Sequence, residues 1–547
     1  MQTLNGTRTF SKGITKSVYL APLVAGTAIT ALVPQVTYAG PFPAAPLTDA
    51  TAGPFVVTTR VFFDSAAPVA GTLTVSGDWP GAAPGGVSQR VSLPAGNASA
   101  SVALTVPAGS GARLWWPAGM GDQALYAVTA AFTPDGAGAA VLADARAVGF
   151  RVAHLITVDT SAGTAQYAGV DGSGNFTMRF RVNGADMYAR GGNMIPMEEL
   201  EGRQAADAYV ALVRSAAAGG MNVLRVWGGG IYLPSAFYDE CDRVGLVMYH
   251  DMMYAGDGRI NPMANALEEA ELRYNVRRLS HHPSIFLWDS CNECGGGGVW
   301  DTFVATTLVS EDASRPVWPS CPSGGWASGA DQLTGLPNGQ PLVTRKGGRT
   351  IETHGYYQHG GGWPAVNGGV KSPITVTLPV ALASGAARGV GAPGVFASEF
   401  GGSVYSSFES MAPTLNPAHW GMQGGAPDDT CDGAQWPSVC KGGNVMAQRN
   451  YAGTNWLQAY WPGVTPAALN ATGEAAFKRQ LWQVMLAQAL WIKSDIETRR
   501  SDNQWGCITW QVCVCVRRRL TTPHATPVLI NSLPHDPPPP PSCVKTA

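Results

Sequence analysis

Ser284-Ile-Phe-Leu-Trp-Asp-Ser-Cys-Asn-Glu-Cys294 is an apolar run that ends in Asn292-Glu293, with glycines 295 to 298 beyond it. It reads as a buried strand that stops at a carboxylate and gives way to a loop. Gly394-Val-Phe-Ala-Ser-Glu-Phe-Gly401 has the same form, with Glu399 near its end. Two buried strands that each deliver a glutamate to one edge suggest a two-carboxylate site. Retaining glycoside cleavage needs such a pair, with one carboxyl protonating the leaving oxygen and the other attacking the sugar carbon from about 5–5.5 Å away. A single glutamate of this kind reads equally as a strand meeting solvent.

Working outward, strands and helices alternate from about residue 165. A hairpin with an Asn183-Gly184 turn leads into Tyr188–Ile195. The helix Asp207–Ala218 follows, with Tyr209, Val213 and Ala216 on one face, then the strand Asn222–Trp227 and three glycines. A helix from Pro234 carries Phe237, Cys241 and Val244. The strand Leu246–Asp251 precedes a helix from Asn265 that turns Leu272, Val276 and Leu279 inward. Further strands are expected at Ile285–Glu293, Arg315–Ser320, Ile351–Tyr357, Val395–Glu399 and Gly506–Gln511. Counted from Tyr188 these make eight, the pattern of a (β/α)8 barrel over 159–511, with Glu293 and Glu399 at the ends of strands four and seven. Segments 321–350 and 402–475 read as loops over the mouth. Ala475–Arg500 reads as a helix with Leu481, Met485, Ile492 and Ile496 on one face.

Before the barrel, residues 41–158 read as all-β. Short strands at Val56–Phe63, Ala100–Val106, Ala124–Ala131 and Val148–Val152 are separated by Gly and Pro turns, which suits an immunoglobulin-like sandwich. Leu114–Tyr126 is an aromatic loop within it. Residues 1–40 admit two readings. Lys12 and Lys16 precede an apolar stretch that could be a signal segment, and the same stretch could be the remnant of a preceding β domain. Residues 512–547 run into a polar, Pro-rich tail expected to be disordered.

The chain has 547 residues, 14% charged, with net charge -2. No basic surplus points to nucleic acid or anionic membrane. The histidines show no metal spacing. Cys291 and Cys294 have a C-x2-C spacing without a second ligand pair, and read as small residues packing around a strand end. Cys431 and Cys440 could close a loop disulfide in an oxidising compartment. Sequons at Asn5, Asn97, Asn175 and Asn470 are compatible with a secretory route.

Several spaced motifs resemble glycoside hydrolase family 2, and within it the β-mannosidases. They are Arg190-Gly-Gly-Asn-Met-Ile-Pro196, Met221–Tyr232, Phe237–Asp242, His282–Trp288 with Asn292-Glu293, and Ser398-Glu-Phe-Gly401; Leu114–Gln123 resembles the family's second domain. β-Galactosidases and β-glucuronidases typically carry a tyrosine after the nucleophile, where this chain has Phe400. The resemblance implies Glu293 as acid/base and Glu399 as nucleophile of an exo-acting, retaining β-mannosidase. Its substrate would be mannose-containing oligosaccharide, with no cofactor or metal, no nucleic acid and no membrane, in a lysosomal or secreted setting. Asn292 would donate to the sugar 2-hydroxyl, or serve only as a strand-end cap. Trp227 and Trp510 would wall the sugar, or lie in the core. Asp251 would meet substrate hydroxyls, or be a polar strand end. His354 and Tyr357 lie where the family places polar groups near the nucleophile. The family begins with a jelly-roll sugar-binding domain, of which Ser17–Pro22 and Val33–Val36 resemble the final strands. It also continues past the tryptophan-glutamine pair with further β domains. The resemblance therefore implies a chain shortened at both ends. Two other readings remain: a carbohydrate-binding relative without activity, and a family 2 enzyme for a glucosaminide, galactoside or glucuronide.

Overall fold

The structure is a computed structural model. It describes residues 13–14, 18, 20–43, 45–156, 178–198, 201–256, 262–294, 298–323, 352–358, 396–402, 404–422, 446, 453–461, 463–501 and 504–512. Cys431, Cys440, Asn5, Asn175, the tail beyond Val512 and most of the two long loop segments lie outside these residues. The chain divides into two compact units: 1–354 with 387–399 and 500–509, and 355–386 with 400–499 and 510–547. Among the described residues no helix is long and apolar enough to cross a membrane.

The first unit opens with two antiparallel sheets. One orders its strands Thr27–Tyr38, Phe55–Ser65 and Gly96–Val106; the other orders Val87–Leu93, Val69–Gly77, Tyr126–Pro134 and Val141–Leu142, with Arg146–Val148 also on Tyr126–Pro134. Alternating residues of the two, including Val57, Val61, Phe63, Leu73, Val75 and Phe132, bury into one core. Phe63 meets Phe132 edge to face at 5.3 Å. Thr27–Tyr38 runs in register with Phe55–Ser65, from Thr27 opposite Ser65 to Tyr38 opposite Phe55. Val33–Val36 thus pairs within the first sheet of this region. Thr27–Tyr38 is the edge strand of its sheet, where Pro34 is tolerated as it would not be in an inner strand.

The next element is a strand, Ala153–Ile156, paired with a hairpin of Arg179–Val182 and Ala185–Met187. Asn183 and Gly184 both have positive φ, 50° and 79°, as a two-residue hairpin turn requires. Phe180 stacks on Phe286 at 4.3 Å and on Phe396 at 5.4 Å.

Eight strands follow, numbered here in chain order: β1 (Ala189–Met194), β2 (Val223–Val226), β3 (Val247–Asp251), β4 (Ile285–Asp289), β5 (Val317–Trp318), β6 (Glu352–Gln358), β7 (Phe396–Gly402) and β8 (Gly506–Val512). They form one curled sheet in the order β5-β4-β3-β2-β1-β8-β7-β6. The β1–β2, β2–β3, β3–β4 and β4–β5 pairs are parallel. First and last strands pair, as closure of a barrel demands. Across the β5–β6 seam, side chains join the edges: Trp318 Nε1 donates to Glu352 Oε2 at 2.8 Å. Phe286 and Phe396 lie at the starts of β4 and β7, so Phe180 plugs the N-terminal end and leaves the C-terminal end for chemistry.

Helices α1 (Ala206–Ala218), α2 (Ser235–Val244), α3 (Ala266–Leu279) and α4 (Thr306–Glu311) lie between strands β1 to β5. Their buried faces include Tyr209, Val213 and Ala216 of α1 and Leu272, Val276 and Leu279 of α3, as the period indicates. Asn265 caps α3 by accepting from the Leu267 and Glu268 amides. Trp115 of the aromatic loop is fully buried and donates to Asp242 O at 2.8 Å, which ties the antiparallel region to α2.

A second tie is ionic. Glu311, 3% exposed, receives Arg60 from the first sheet at 2.7 Å, and Arg273 and Arg277 from α3 at 2.8 and 2.6 Å. Burial pushes its carboxyl up, but the three arginines outweigh burial and hold it down at about 2. A depressed carboxylate stabilises the fold above the unfolded value near 4.5, and that contribution is lost as pH falls toward 2. Glu311→Gln is expected to cost roughly 1–2 kcal/mol at pH 7, since three part-exposed arginines lose a shared carboxylate, and to cost little near pH 2. Urea unfolding of both proteins across that range checks it; equal losses at both ends would refute the ionic account.

In the second unit, the helix Glu474–Ser501 buries Phe477, Leu481, Val484, Gln488, Trp491, Asp495 and Arg499. The expected stripe through Met485, Ile492 and Ile496 is only partly buried. A helix apolar on several faces offers more than one stripe, and the loops that it must bind decide between them. Gln480 donates to the carbonyls of Ala468, Leu469 and Ala471, and Gln488 donates to Gly402 O.

Candidate active site

β2 reads Val-Leu-Arg-Val, and Arg225 is fully buried within it. A guanidinium there must find several acceptors, because it is never deprotonated and cannot stay unpaired in a core. Its Nε and Nη2 grip Asp251 at the end of β3, at 3.0 and 2.5 Å. Nη1 donates to Asn193 Oδ1 on β1 at 2.9 Å and to Glu399 Oε1 on β7 at 2.5 Å. Nη2 also reaches Asn292 Oδ1 at 2.8 Å. One arginine thus fixes groups from four strands or their ends. Burial works against its charge, but Asp251 and Glu399 keep it firmly protonated.

Asp251 has no exposed surface, and its Oδ2 also accepts from the Gly228 amide at 3.0 Å. Burial pushes it up to about 6, against the pull of Arg225 and that amide. Gly228 is required, because a Cβ would lie 2.2 Å from Tyr254 O. Asp251, expected from sequence to meet substrate hydroxyls or to be a polar strand end, is fully buried here with its oxygens on Arg225 and Gly228. Trp227 is 9% exposed. Trp510, in the second unit, is half-buried in β8. Tyr357 falls in β6, with its side chain outside the described residues.

β4 ends at Asp289, four residues before Glu293. The ladder resumes at Asn292, which bridges to Ala255 and to Cys321. The Glu293 amide then donates to Cys321 O at 2.6 Å. Glu293 takes a positive φ of 54°, unusual for a glutamate, and its side chain is 55% exposed. A Cys291–Cys294 disulfide brackets Asn292-Glu293, where the sequence reading had two unlinked packing residues.

The two glutamates converge on His354 of β6. Its Nδ1 lies 2.7 Å from Glu293 Oε1 and 3.6 Å from Glu399 Oε2. Oxygens of the two carboxylates and a ring nitrogen all fall within 4.8 Å of one another. His354 Nε2 faces Cys321 Sγ at 3.1 Å, so both ring nitrogens have neighbours within the protein. Glu399 is 5% exposed and Asn292 4%. Asn292 turns its carbonyl oxygen to Arg225, which leaves its NH2 as the donor. Of the residues expected from sequence, the structure therefore gathers Glu293, Glu399, Asn292 and His354, with Asp251 behind them. Arg225, Asn193, Cys321 and Glu352 were not singled out. The available signal was a charged residue inside an apolar strand, which demands a buried acid elsewhere.

No protein-family model matches the chain. It is 38% identical over 194 residues to β-mannosidase A of Aspergillus aculeatus, which covers 35% of this chain and 20% of that protein. It is 33% identical over 233 residues to the β-mannosidase of Mus musculus, covering 39% and 25%. The aligned parts thus span a quarter or less of these relatives' length. Among solved structures, the β-D-mannosidase of Dictyoglomus thermophilum superposes with a TM-score of 0.59 at 18% identity, over 89% of this chain and 51% of that one. The exo-chitosanase CsxA of Amycolatopsis orientalis gives 0.57 at 18%, over 89% and 49%. The structural likeness is one of fold. The sequence likeness makes the chain β-mannosidase-like.

Proposed function

We propose that this β-mannosidase-like chain is a glycoside hydrolase that removes terminal β-linked mannose from oligosaccharides or glycoproteins by double displacement. The observation that carries the reading is the approach of the Glu293 and Glu399 carboxylates to within 4.8 Å, with His354 between them. A close pair of this kind supports direct attack by one carboxylate rather than the wider pair that an inverting enzyme needs. Glu399, held at Oε1 by Arg225, attacks the anomeric carbon through its other oxygen while Glu293 gives its proton to the departing oxygen. Glu293, now a carboxylate, takes a proton from water, which attacks the same carbon and frees Glu399. The Asn292 NH2 meets the 2-hydroxyl. Trp227 contributes an apolar wall. The curled sheet is read as a (β/α)8 barrel over 159–511, and the antiparallel pair as an immunoglobulin-like sandwich. A lysosomal or secreted location accompanies this reading.

The test is a panel of 4-nitrophenyl β-glycosides. The mannoside is expected to exceed the glucosaminide, galactoside and glucuronide in kcat/KM by at least about tenfold, since a sugar hydroxyl misplaced against buried polar groups costs more than a lost methylene. The mannose first released should be the β-anomer. Dominant cleavage of another glycoside would overturn the sugar assignment. Saturable binding without cleavage by a folded protein would favour a carbohydrate-binding relative.

A further inference from the structure

Behind His354 lies a buried thiol that the steps above do not use. Cys321 is fully buried beyond the end of β5. Its Sγ is 3.1 Å from Glu352 Oε1, from Ser398 Oγ and from His354 Nε2. A thiol has one proton for these three neighbours. Glu352 is also fully buried and accepts from every side: Tyr249 Oη at 2.9 Å on Oε1, and Trp318 Nε1 at 2.8 Å and the Ser323 amide at 2.9 Å on Oε2. The indole and amide can only donate, so Oε2 carries no proton. Oε1 accepts from Tyr249 and takes the thiol proton as well. Ser398 has the Thr353 carbonyl for its own hydroxyl proton. The sulfur then faces His354 as an acceptor, and Nε2 must carry the hydrogen. In a neutral imidazole this leaves Nδ1 bare, 2.7 Å from Glu293 Oε1.

We infer that Cys321 is a positioning residue: it fixes His354 as the Nε2–H tautomer, so that bare Nδ1 accepts a hydrogen bond from the protonated carboxyl of Glu293. A hydrogen bond made only by the neutral acid favours that acid. Glu293 is half exposed and lacks the apolar enclosure that would otherwise hold its proton. The line Glu293 to His354 to Cys321 to Glu352 supplies the bias instead. When Glu293 gives up its proton the bond breaks, and it reforms when water returns one. The inference rests on the glycosidase reading for its consequence in turnover, but not for the tautomer.

Two measurements on the full chain test it. In protein labelled with 15N-histidine, His354 (assigned by its loss in His354→Gln) should show a protonated Nε2 and a bare Nδ1. Cys321→Ser should keep that signature and Cys321→Ala should lose it. A protonated Nδ1 in the unaltered protein overturns the inference. In kinetics, Cys321→Ala should lower kcat by about tenfold on phenyl β-mannoside, whose leaving group needs an acid, yet stay within about twofold on the 2,4-dinitrophenyl analogue, which does not. Cys321→Ser should recover most of the loss. Equal losses on both substrates would make Cys321 merely structural. An unaltered protein that cleaves neither substrate refutes the glycosidase reading, while the spectrum still decides the tautomer.

Discussion

Replacing Glu399 by alanine is expected to lower turnover of an aryl β-mannoside by a factor on the order of 10⁴ to 10⁶, the range for deleting a nucleophile whose partners act as a unit. Azide should then separate the two carboxylates by stereochemistry. In Glu399→Ala it occupies the vacated space and attacks from the face opposite the leaving group, giving the α-mannosyl azide. In Glu293→Ala the covalent intermediate still forms on substrates with good leaving groups, and azide attacks it to give the β-mannosyl azide. Identical anomers from both variants, or full turnover in Glu399→Ala, would reverse or remove the assignment. The folded state tolerates the change, since Arg225 keeps Asp251, Asn193 and Asn292.

Arg225→Gln is expected to damage both function and stability. The side chain is fully buried, and its removal takes away the guanidinium that Asp251 and Glu399 share. Breaking a buried pair in this way costs about 3–5 kcal/mol, because the charge left behind has no compensation. The nucleophile also loses the contact that fixes one of its oxygens, so kcat should fall by a further factor of about 10² to 10³ through misplacement. Denaturant midpoints and steady-state kinetics below the unfolding transition read the two effects separately. Asp251→Asn in the Arg225→Gln background should restore part of the stability and little of the activity. Turnover near that of the unaltered protein would show that Glu399 needs no such anchor.

The strands that lead to Glu293 and carry Glu399 were legible because each is an apolar run, and local composition is enough to see that, although β4 stops at Asp289 and β7 runs on to Gly402. The helices between β1 and β5 were legible for a similar reason: Tyr209, Val213 and Ala216, or Leu272, Val276 and Leu279, repeat with the helical period. Arg225 was not legible in the same way. Its meaning lies in partners 26, 32, 67 and 174 positions distant, which only the curled sheet assembles. Cys321 is a starker case, since a lone thiol before a proline carries no local signal, and its three neighbours come from β6 and β7. The left-handed backbone at Glu293 was equally hidden: the residue was read as a strand end, whereas its loop bonds to Cys321 beyond β5 and bends the side chain back over His354. On Glu474–Ser501 the apolar residues were visible, but the face they bury was not, because Gln480 and Gln488 chose it by binding loop carbonyls.

Phe180 belongs to a hairpin that precedes every strand of the curled sheet, yet it touches the beginnings of β4 and β7, whose far ends lead to the two glutamates. It acts as a gauge block, setting the jaws of a clamp from the hinge side. The smallest portable piece of this site is therefore not the eight strands alone. A fragment that starts at Ala189 would carry every acidic side chain of the site and lack the spacer that sets their separation. Anyone grafting the barrel into another protein inherits the hairpin as part of the active site.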